Sequence, residues 1–499
     1  MPPQTLAAVA AIVSFAVHGN RIEFRMDHGS AELTWVSPDS FRFRRSLEGP
    51  LPAAARADKE PVEIKAEDAP GAVRMRSKNL EVTVQKRGVL VSVRRFDGEP
   101  LMRDLSEPRT AGKGVAWDRA MPPGSRFYGL GRGDDPTYDW RGKAGETEVP
   151  FLLSSTGYGE YHPGGGPFRF DFTAADRYRV QAPGVDYYFL YGLRPKAVFE
   201  ALHDAAGRDL GVPAASGGPP PSWASLREEL LRLTHGFLSA MLHQGFDLAR
   251  YAGAPPDLLA RAKQVGSLVP DVQAGSLELS GFRRQLKTFF AAYEPETREK
   301  GYPLWHPLPF QFPDDPECAR HADEFMLGDE MLIAPICDAS GQRSFYLPPG
   351  VWTNLETNEV AQGRRTITIK TESLPVFARN GTIIPLDSPG GMGLHYFPQL
   401  AAEFFVLETE VNDWTQIHAS PAAEIYRLQI DSKVARDYQW VIHHVERPST
   451  VGYQEIRYGE AGTQKELSDR TWFYETAKKN LHVRVRVNAG ESSVIHIGW

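Results

Sequence analysis

At 499 residues, with 41% apolar and 24% charged residues, the chain is too long for one ordinary domain and too apolar for wholesale disorder. Lys and Arg total 56 against 63 Asp and Glu, a net charge of −7 with no basic tract, which argues against nucleic acid as the main partner. Two cysteines, Cys318 and Cys337, exclude a disulfide framework and a multi-cysteine zinc site, and 45 glycines with 39 prolines favour turn-rich β structure.

Residues 6–17 are apolar and Ala-rich, but no Lys or Arg precedes them and they run into the alternating segment 21–26. They read as a strand and hairpin rather than a signal peptide. With the sparse cysteines, this suits a cytoplasmic protein, although a large periplasmic or secreted protein also manages without disulfides. No segment reaches the roughly 18 uninterrupted apolar residues of a membrane span, so no membrane association is expected. Ile22, Phe24 and Met26 alternate with polar residues, as do Phe41 and Phe43, then Val89, Val91 and Val93, then Phe168, Phe170 and Phe172. Period 2 puts one set of side chains on a core face, and many such strands predict a large antiparallel β-sandwich over residues 1–207.

The pattern changes after Pro195. Residues 196–206 read as a helix, and 211–221 as a Gly/Ala/Pro/Ser connector. Trp223, Leu226, Leu230, Leu233, Phe237 and Met241 then form one helical stripe, with Ser222 as its N-cap. A short strand over 245–248, a helix over 255–265 stopped by Gly266, and a strand over 267–272 follow. Phe282, Leu286, Phe289, Phe290 and Tyr293 mark another helix, and 303–308 and 331–336 are short buried-strand candidates. Helices alternating with apolar strands predict a parallel α/β region over 208–336. From Gln342 alternation returns. The tail divides into two β modules, 337–390 and 391–499, meeting near Ser388-Pro-Gly-Gly391. No internal repeat is visible.

Phe127-Tyr-Gly-Leu-Gly131, Trp140-Arg-Gly142, the segment from Pro150 to Gly159 and Asp186-Tyr-Tyr-Phe-Leu190 resemble the N-terminal sandwich of glycoside hydrolase family 31, the α-glucosidase and α-xylosidase family. Trp223-Ala-Ser-Leu-Arg227, Gly245-Phe-Asp-Leu248 and Gly253-Ala-Pro-Pro-Asp-Leu258 are similar to segments late in its catalytic barrel. The segments 325–335, 346–352 and 374–385 resemble the barrel exit and first C-terminal sandwich. The resemblance implies hydrolysis of α-linked O-glycosides, carbohydrate as the partner, and a (β/α)8 barrel between the sandwiches. A complete barrel takes about 250 residues, but 209–330 offers only about 120, so a truncated barrel remnant is expected. Its strand edges and apolar faces would be covered by a second copy of the chain or by a partner chain.

Retaining glycosidases need two carboxyl groups about 5–5.5 Å apart. The family's nucleophile lies in a Trp-x-Asp-Met motif, which this chain lacks, and its acid/base Asp follows a Ser-Gly pair where this chain reads Ser216-Gly217-Gly218. The Arg-x-His after a Pro is replaced by Asp271-Val272-Gln273 after Pro270, and Arg-Pro-Leu by His306-Pro307-Leu308. Asp247 keeps a matching context. Asp247 and Asp271 are therefore the replacement catalytic candidates, each placed at the C-terminal end of an expected strand, where barrel enzymes keep their chemistry. The competing reading makes Asp247 a loop cap and Asp271 a solvated residue. Asp247, Trp305, His306 and Trp140 are the substrate-binding candidates, because carboxylates bind hydroxyls and flat rings stack on sugar faces. Core packing of Trp305 and His306, and a plain turn around Trp140, are the alternatives. No metal or organic cofactor is implied: phosphate-loop, zinc-helix, nucleophile-elbow and calcium-loop motifs are all missing. His443-His444 inside a strand would face opposite ways. The rival to hydrolysis is a catalytically inactive homologue serving as a carbohydrate-binding or partner-binding scaffold.

Overall fold

The computed structural model describes residues 9–52, 61–207, 210–211, 219–422 and 424–499, so the Ser216-Gly217-Gly218 landmark lies outside the described residues. The chain forms two compact units. One comprises residues 1–212, 238–242 and 300–302, and the other 213–237, 243–299 and 303–499.

In the first unit the period-2 segments are strands. Along Arg21–Met26, Ile22, Phe24 and Met26 are buried while Arg21 and Arg25 are exposed. Four successive strands from Ile12–His18 to Ser40–Ser46 pair as a meander, and Val185–Tyr191, Tyr158–Tyr161, Phe151–Ser154 and Phe127–Gly129 extend them to an eight-stranded sheet. Two five-stranded sheets accompany it, one running in chain order from Lys65–Ala69 to Pro100–Arg103. Trp35, Val82, Trp117, Phe170 and Phe189, drawn from all three, share one core.

The second unit begins with the stripe helix, Trp223–Leu238. Ser222 Oγ accepts the Ser225 N–H at 3.0 Å and Ser225 Oγ accepts the Ser222 N–H at 2.8 Å, a reciprocal cap on two otherwise unpaired donors. Leu226, Leu230, Leu233 and Phe237 are buried as the stripe requires. The helix stops at Leu238, and Ala240 follows at φ 58°, so Met241, the last residue of the expected stripe, lies beyond the helix.

One βαβ unit follows: strand Gly245–Asp247, helix Pro256–Gly266, and strand Asp271–Gln273 in parallel. It is the sole parallel pair bridged by an α-helix among the described residues. The other two expected strands of the α/β region belong elsewhere. Trp305–Pro307 and Met331–Ile333 join Phe325–Leu327 in an antiparallel six-stranded sheet that continues through Val376–Arg379, Val351–Asn354 and Val360–Gln362. Gly328 at φ 59° sits in the three-residue connection from Leu327 to Met331. A connection that short permits only antiparallel return, because a parallel neighbour needs a crossover of about a dozen residues. Residue 336, the expected end of the α/β region, thus falls within the span of one sheet. The helix expected around 282–293 is divided at Leu286 into Gly281–Gln285 and Lys287–Lys300. Asp387 holds the second piece, accepting the Thr288 N–H at 2.8 Å and its hydroxyl at 2.7 Å.

The last portion is a sandwich of two six-stranded sheets. Leu394, Tyr396, Trp440, Ile442 and Val483 of one face Phe404, Ile417, Ile430 and Ile497 of the other in a common core. In the first of these sheets Gly391–Phe397 pairs parallel with Arg436–Ile442, because the chain visits the opposite sheet between them. The protein is thus a multidomain, β-rich chain with a limited α/β remnant. Among the described residues no helix is long and apolar enough to cross a membrane.

Candidate functional site

The βαβ unit brings the two candidate carboxylates onto adjacent strands but out of line. Gly245 is opposite Asp271, and Asp247 is opposite Gln273. The expectation that both Asp residues end their strands is corrected for Asp271, which begins Asp271–Gln273. The physical reason lies upstream: Leu268 N–H bonds back to Val265 O, and Pro270 has no N–H to offer a ladder, so pairing starts only at Asp271. Two residues along a strand is about 6.6 Å, before any lateral separation is added. Asp247 is half-buried, and its Oδ1 accepts the Arg250 N–H at 3.3 Å at the entry to the short turn Ala249–Tyr251. Asp271 is exposed.

Trp305 lies in the core. Its ring stacks on Phe325 at 3.7 Å, and its Nε1–H donates to Leu268 O at 2.9 Å, so the indole is fully committed. His306, next on the same strand, is also fully buried but points into a polar group. Its Nδ1 lies 3.2 Å from both Gln311 Oε1 and Asp329 Oδ1. Both partners are acceptors, so Nδ1–H is the donor to them, which leaves Nε2 to its surroundings. That Nε2 is buried without a hydrogen-bond partner, against the rings of Phe310 and Tyr293. The Asp329 side chain is 44% exposed and gives the cluster its opening to solvent.

Tyr293 supports this pair. Its hydroxyl donates to Glu330 Oε2 at 2.7 Å and accepts the Asp329 N–H at 2.9 Å. Burial, reinforced by Glu330, pushes the Tyr293 phenol well above its usual range and keeps it a donor. The cluster can orient the Asp329 carboxylate toward a hydroxyl-bearing molecule. Asp329, Glu330, Tyr293 and Gln311 were missed by sequence reasoning. The available signal was the Gly328-Asp329-Glu330 turn inside the family-like stretch 325–335, where it served as a landmark and its carboxylates went unread.

Trp140 belongs to the first unit and is half-buried. Its Nε1–H donates to Gly129 O at 2.9 Å, and its ring lies where a Cβ on Gly145 would approach to 3.1 Å. The polar residues of its loop serve the loop: Asp135 accepts from the Thr137 N–H and hydroxyl, and Asp139 from the N–H groups of Phe127 and Arg141. Burial pushes the Cys337 thiol up to about 12 and that of Cys318 higher still, so neither is poised as a thiolate nucleophile. Among the described residues no three His, Cys, Asp or Glu side chains are arranged to hold a metal ion.

Residues 301–384 match the model of the glycosyl hydrolase family 31 C-terminal domain. The chain is 34% identical over 110 residues to an alpha-glucosidase of Saccharolobus solfataricus, a match covering 22% of this chain and 16% of that protein. It is 31% identical over 194 residues to alpha-glucosidase 2 of Bacillus thermoamyloliquefaciens, covering 33% of this chain and 24% of the relative. The matched stretches are therefore about a quarter or less of those relatives' length. The fold is similar to the GH31 dextranase of Flavobacterium johnsoniae, solved with isomaltotriose, at a TM-score of 0.82 and 13% identity over 99% of this chain and 100% of that one. It is also similar to the cycloalternan-forming enzyme of Listeria monocytogenes, solved with a pentasaccharide substrate, at 0.79 and 15% over 98% of this chain and 77% of that one. Domain model, curated relatives and solved folds all point to glycoside hydrolase family 31, and residues 301–384 of this chain match that family's C-terminal domain.

Proposed function

We propose that this protein recognises α-linked glucosides or xylosides and does not cleave them by the retaining two-carboxylate route. The observation that carries this reading is the register of the βαβ unit, in which Asp271 lies opposite Gly245 and two residues short of Asp247. Retaining hydrolysis asks for carboxyl groups about 5–5.5 Å apart, and the backbones that carry these two are offset by about 6.6 Å along the strand as well as laterally. The missing Trp-x-Asp-Met string supports the same conclusion. Recognition draws support from the relatives, which include α-glucosidases, and from a neighbour solved with isomaltotriose. The Asp329 carboxylate, held by His306, is the group we assign to sugar hydroxyls. A second copy of the chain or a partner chain covers the α/β remnant in this reading.

The test is paired. The purified protein is incubated with p-nitrophenyl α-glucoside and α-xyloside, then titrated with maltose and isomaltose. We expect no release of p-nitrophenol above buffer, and saturable binding that Asp329→Asn weakens. The rival reading, hydrolysis by descent, is favoured by the α-glucosidase names of the relatives. Release of p-nitrophenol that disappears in Asp247→Asn establishes it and overturns ours. Size-exclusion chromatography of the full chain tests the covering copy.

A further inference from the structure

The outer face of the distal sandwich carries a histidine cluster that the sequence conceals. In the sheet built on Gly391–Phe397, Arg436–Ile442 and Asn480–Val487, the register sets His395 opposite Val441 and Val441 opposite His482. Leu394, Tyr396, Trp440, Ile442, Leu481 and Val483 point into the sandwich core. Alternation therefore turns His395, Val441, His482, and also His443 and Asn480, to the other side. There they line a cavity of about 450 Å³, closed by groups such as Phe282, Leu374 and Asn358. That volume falls within the roughly 300–1,000 Å³ of small-molecule sites.

The hydrogen bonds in this wall fix every proton. Asn358 Nδ2 donates to the Lys478 carbonyl at 2.8 Å, which orients the amide and leaves Oδ1 as an acceptor. His443 Nδ1 lies 2.8 Å from that Oδ1, so it must be the protonated nitrogen, and His443 Nε2 holds a lone pair. His395 Nδ1 lies 3.1 Å from His443 Nε2 and must donate to it. The neutral His395 is left with a bare lone pair on Nε2. Its neutrality has a cause, since burial holds its pKa down at about 4 and that of His443 well below the usual value. His443 is further locked by stacking on Phe397, ring centroids 4.2 Å apart.

The neighbouring histidine is set the opposite way. His482 Nε2 lies 3.4 Å from Glu475 Oε2, and a carboxylate can only accept, so Nε2–H is the donor while Nδ1 accepts from Gln439 Nε2 at 3.3 Å. The cavity thus presents acceptors, among them the His395 lone pair and the Glu475 carboxylate, which lies 3.6 Å from Lys478 Nζ, with Glu356 also in the wall, beside the apolar surfaces of Phe282, Leu374 and Val441. Acceptors flanking an apolar patch suit a molecule with several hydroxyl donors and a C–H face. We infer that this cavity in the distal sandwich is a second saccharide site, taking an uncharged mono- or disaccharide whose hydroxyls donate to His395 and Glu475. It shares no residue with the His306–Asp329 cluster and does not depend on the reading given there.

The full chain is titrated calorimetrically with glucose, maltose and isomaltose near neutral pH, together with His395→Leu, Glu475→Gln and Asp329→Asn. We expect His395→Leu, which removes an acceptor, and Glu475→Gln, which replaces a charged acceptor by a neutral amide, each to weaken saccharide binding by about tenfold or more. Should His395→Leu fail to fold, the half-buried Glu475→Gln carries the test. Nitrogen NMR gives a readout that a purely structural role would not move: His395 Nε2 is unprotonated in the free protein and its resonance shifts on addition of maltose. Binding lost in Asp329→Asn but unchanged in both cavity variants overturns this inference and upholds the earlier site. The reverse pattern upholds the cavity and removes the earlier site. No saccharide binding by the parent protein, or a preference of more than about tenfold for glucosamine over glucose, also overturns it, the latter because it marks a cation site built on the carboxylates.

Discussion

Arg119 and Glu160 form an ion pair in which both side chains are completely buried, and Arg119 Nε also donates to Asp104 Oδ1 at 2.9 Å. The three residues come from three different sheets: Arg119 from Gly114–Ala120, Glu160 from Tyr158–Tyr161, and Asp104 just past Pro100–Arg103. The guanidinium lies over the Tyr187 ring, 4.4 Å from its centroid. One cation therefore ties the sheets of the first unit at a point where apolar side chains alone would leave sliding unopposed. Arg119→Met strands two buried carboxylates and is expected to cost about 3–5 kcal/mol, as broken buried pairs do. Urea denaturation measures it, and a loss under about 1 kcal/mol would show that water or relaxation rescues the carboxylates.

Acid should weaken the same unit. His162 beside Glu160 is fully buried, and burial, with Arg119 adding repulsion, lowers its pKa from 6.5 to about 3. Between those values the unfolded chain binds a proton that the folded chain refuses. Stability is thus level above about pH 6.5 and falls as pH drops toward 3, by roughly 4 kcal/mol from this one group. Buried Glu324, with its pKa pushed up by burial, acts in the opposite sense. The clean measurement is therefore a difference: His162→Gln should flatten the fall of Tm between neutral pH and about pH 4.

Trp305→Ala separates packing from recognition. The indole is fully buried and stacked on Phe325, so its loss should cost about 3–5 kcal/mol. Saccharide binding measured well below the lowered Tm should be unaffected. A variant that melts normally yet loses binding would make the indole a ligand contact instead.

Gly328→Ala probes the turn beneath the His306–Asp329 pair. The residue has φ 59°, and an added Cβ would meet the Tyr293 Cζ at 2.5 Å and the Glu330 Oε2 at 2.7 Å. Backbone strain and displaced Tyr293 together should cost about 1–3 kcal/mol. Tyr293→Phe, which leaves the turn free but removes the hydroxyl shared with Glu330 and Asp329, should cost about 1–3 kcal/mol by a different route. Thermal melting of both variants reads the outcome, and equal stability of either to the parent contradicts the packing described.

The sequence by itself determined which residues lie inside and where the α/β region runs short. Ile22, Phe24 and Met26 are buried because period 2 leaves a strand no other way to hide them, and Ser222 caps its helix because the stripe begins one residue later. These are local properties, decided within a few residues. Only the tertiary structure decided how short apolar runs pair. Trp305–Pro307 and Met331–Ile333 are expected from the sequence in a parallel α/β region, and their partners in Phe325–Leu327 and Val376–Arg379 make them antiparallel instead. The strand expected over 267–272 begins four residues later, at Asp271, and its register against Gly245–Asp247 is something no periodicity encodes. His395, His443 and His482 looked unrelated across nearly ninety residues of chain. A parallel pairing between strands that the chain reaches by crossing to the opposite sheet aligned them, because hydrogen-bond ladders join residues by position in a sheet and not by distance in sequence.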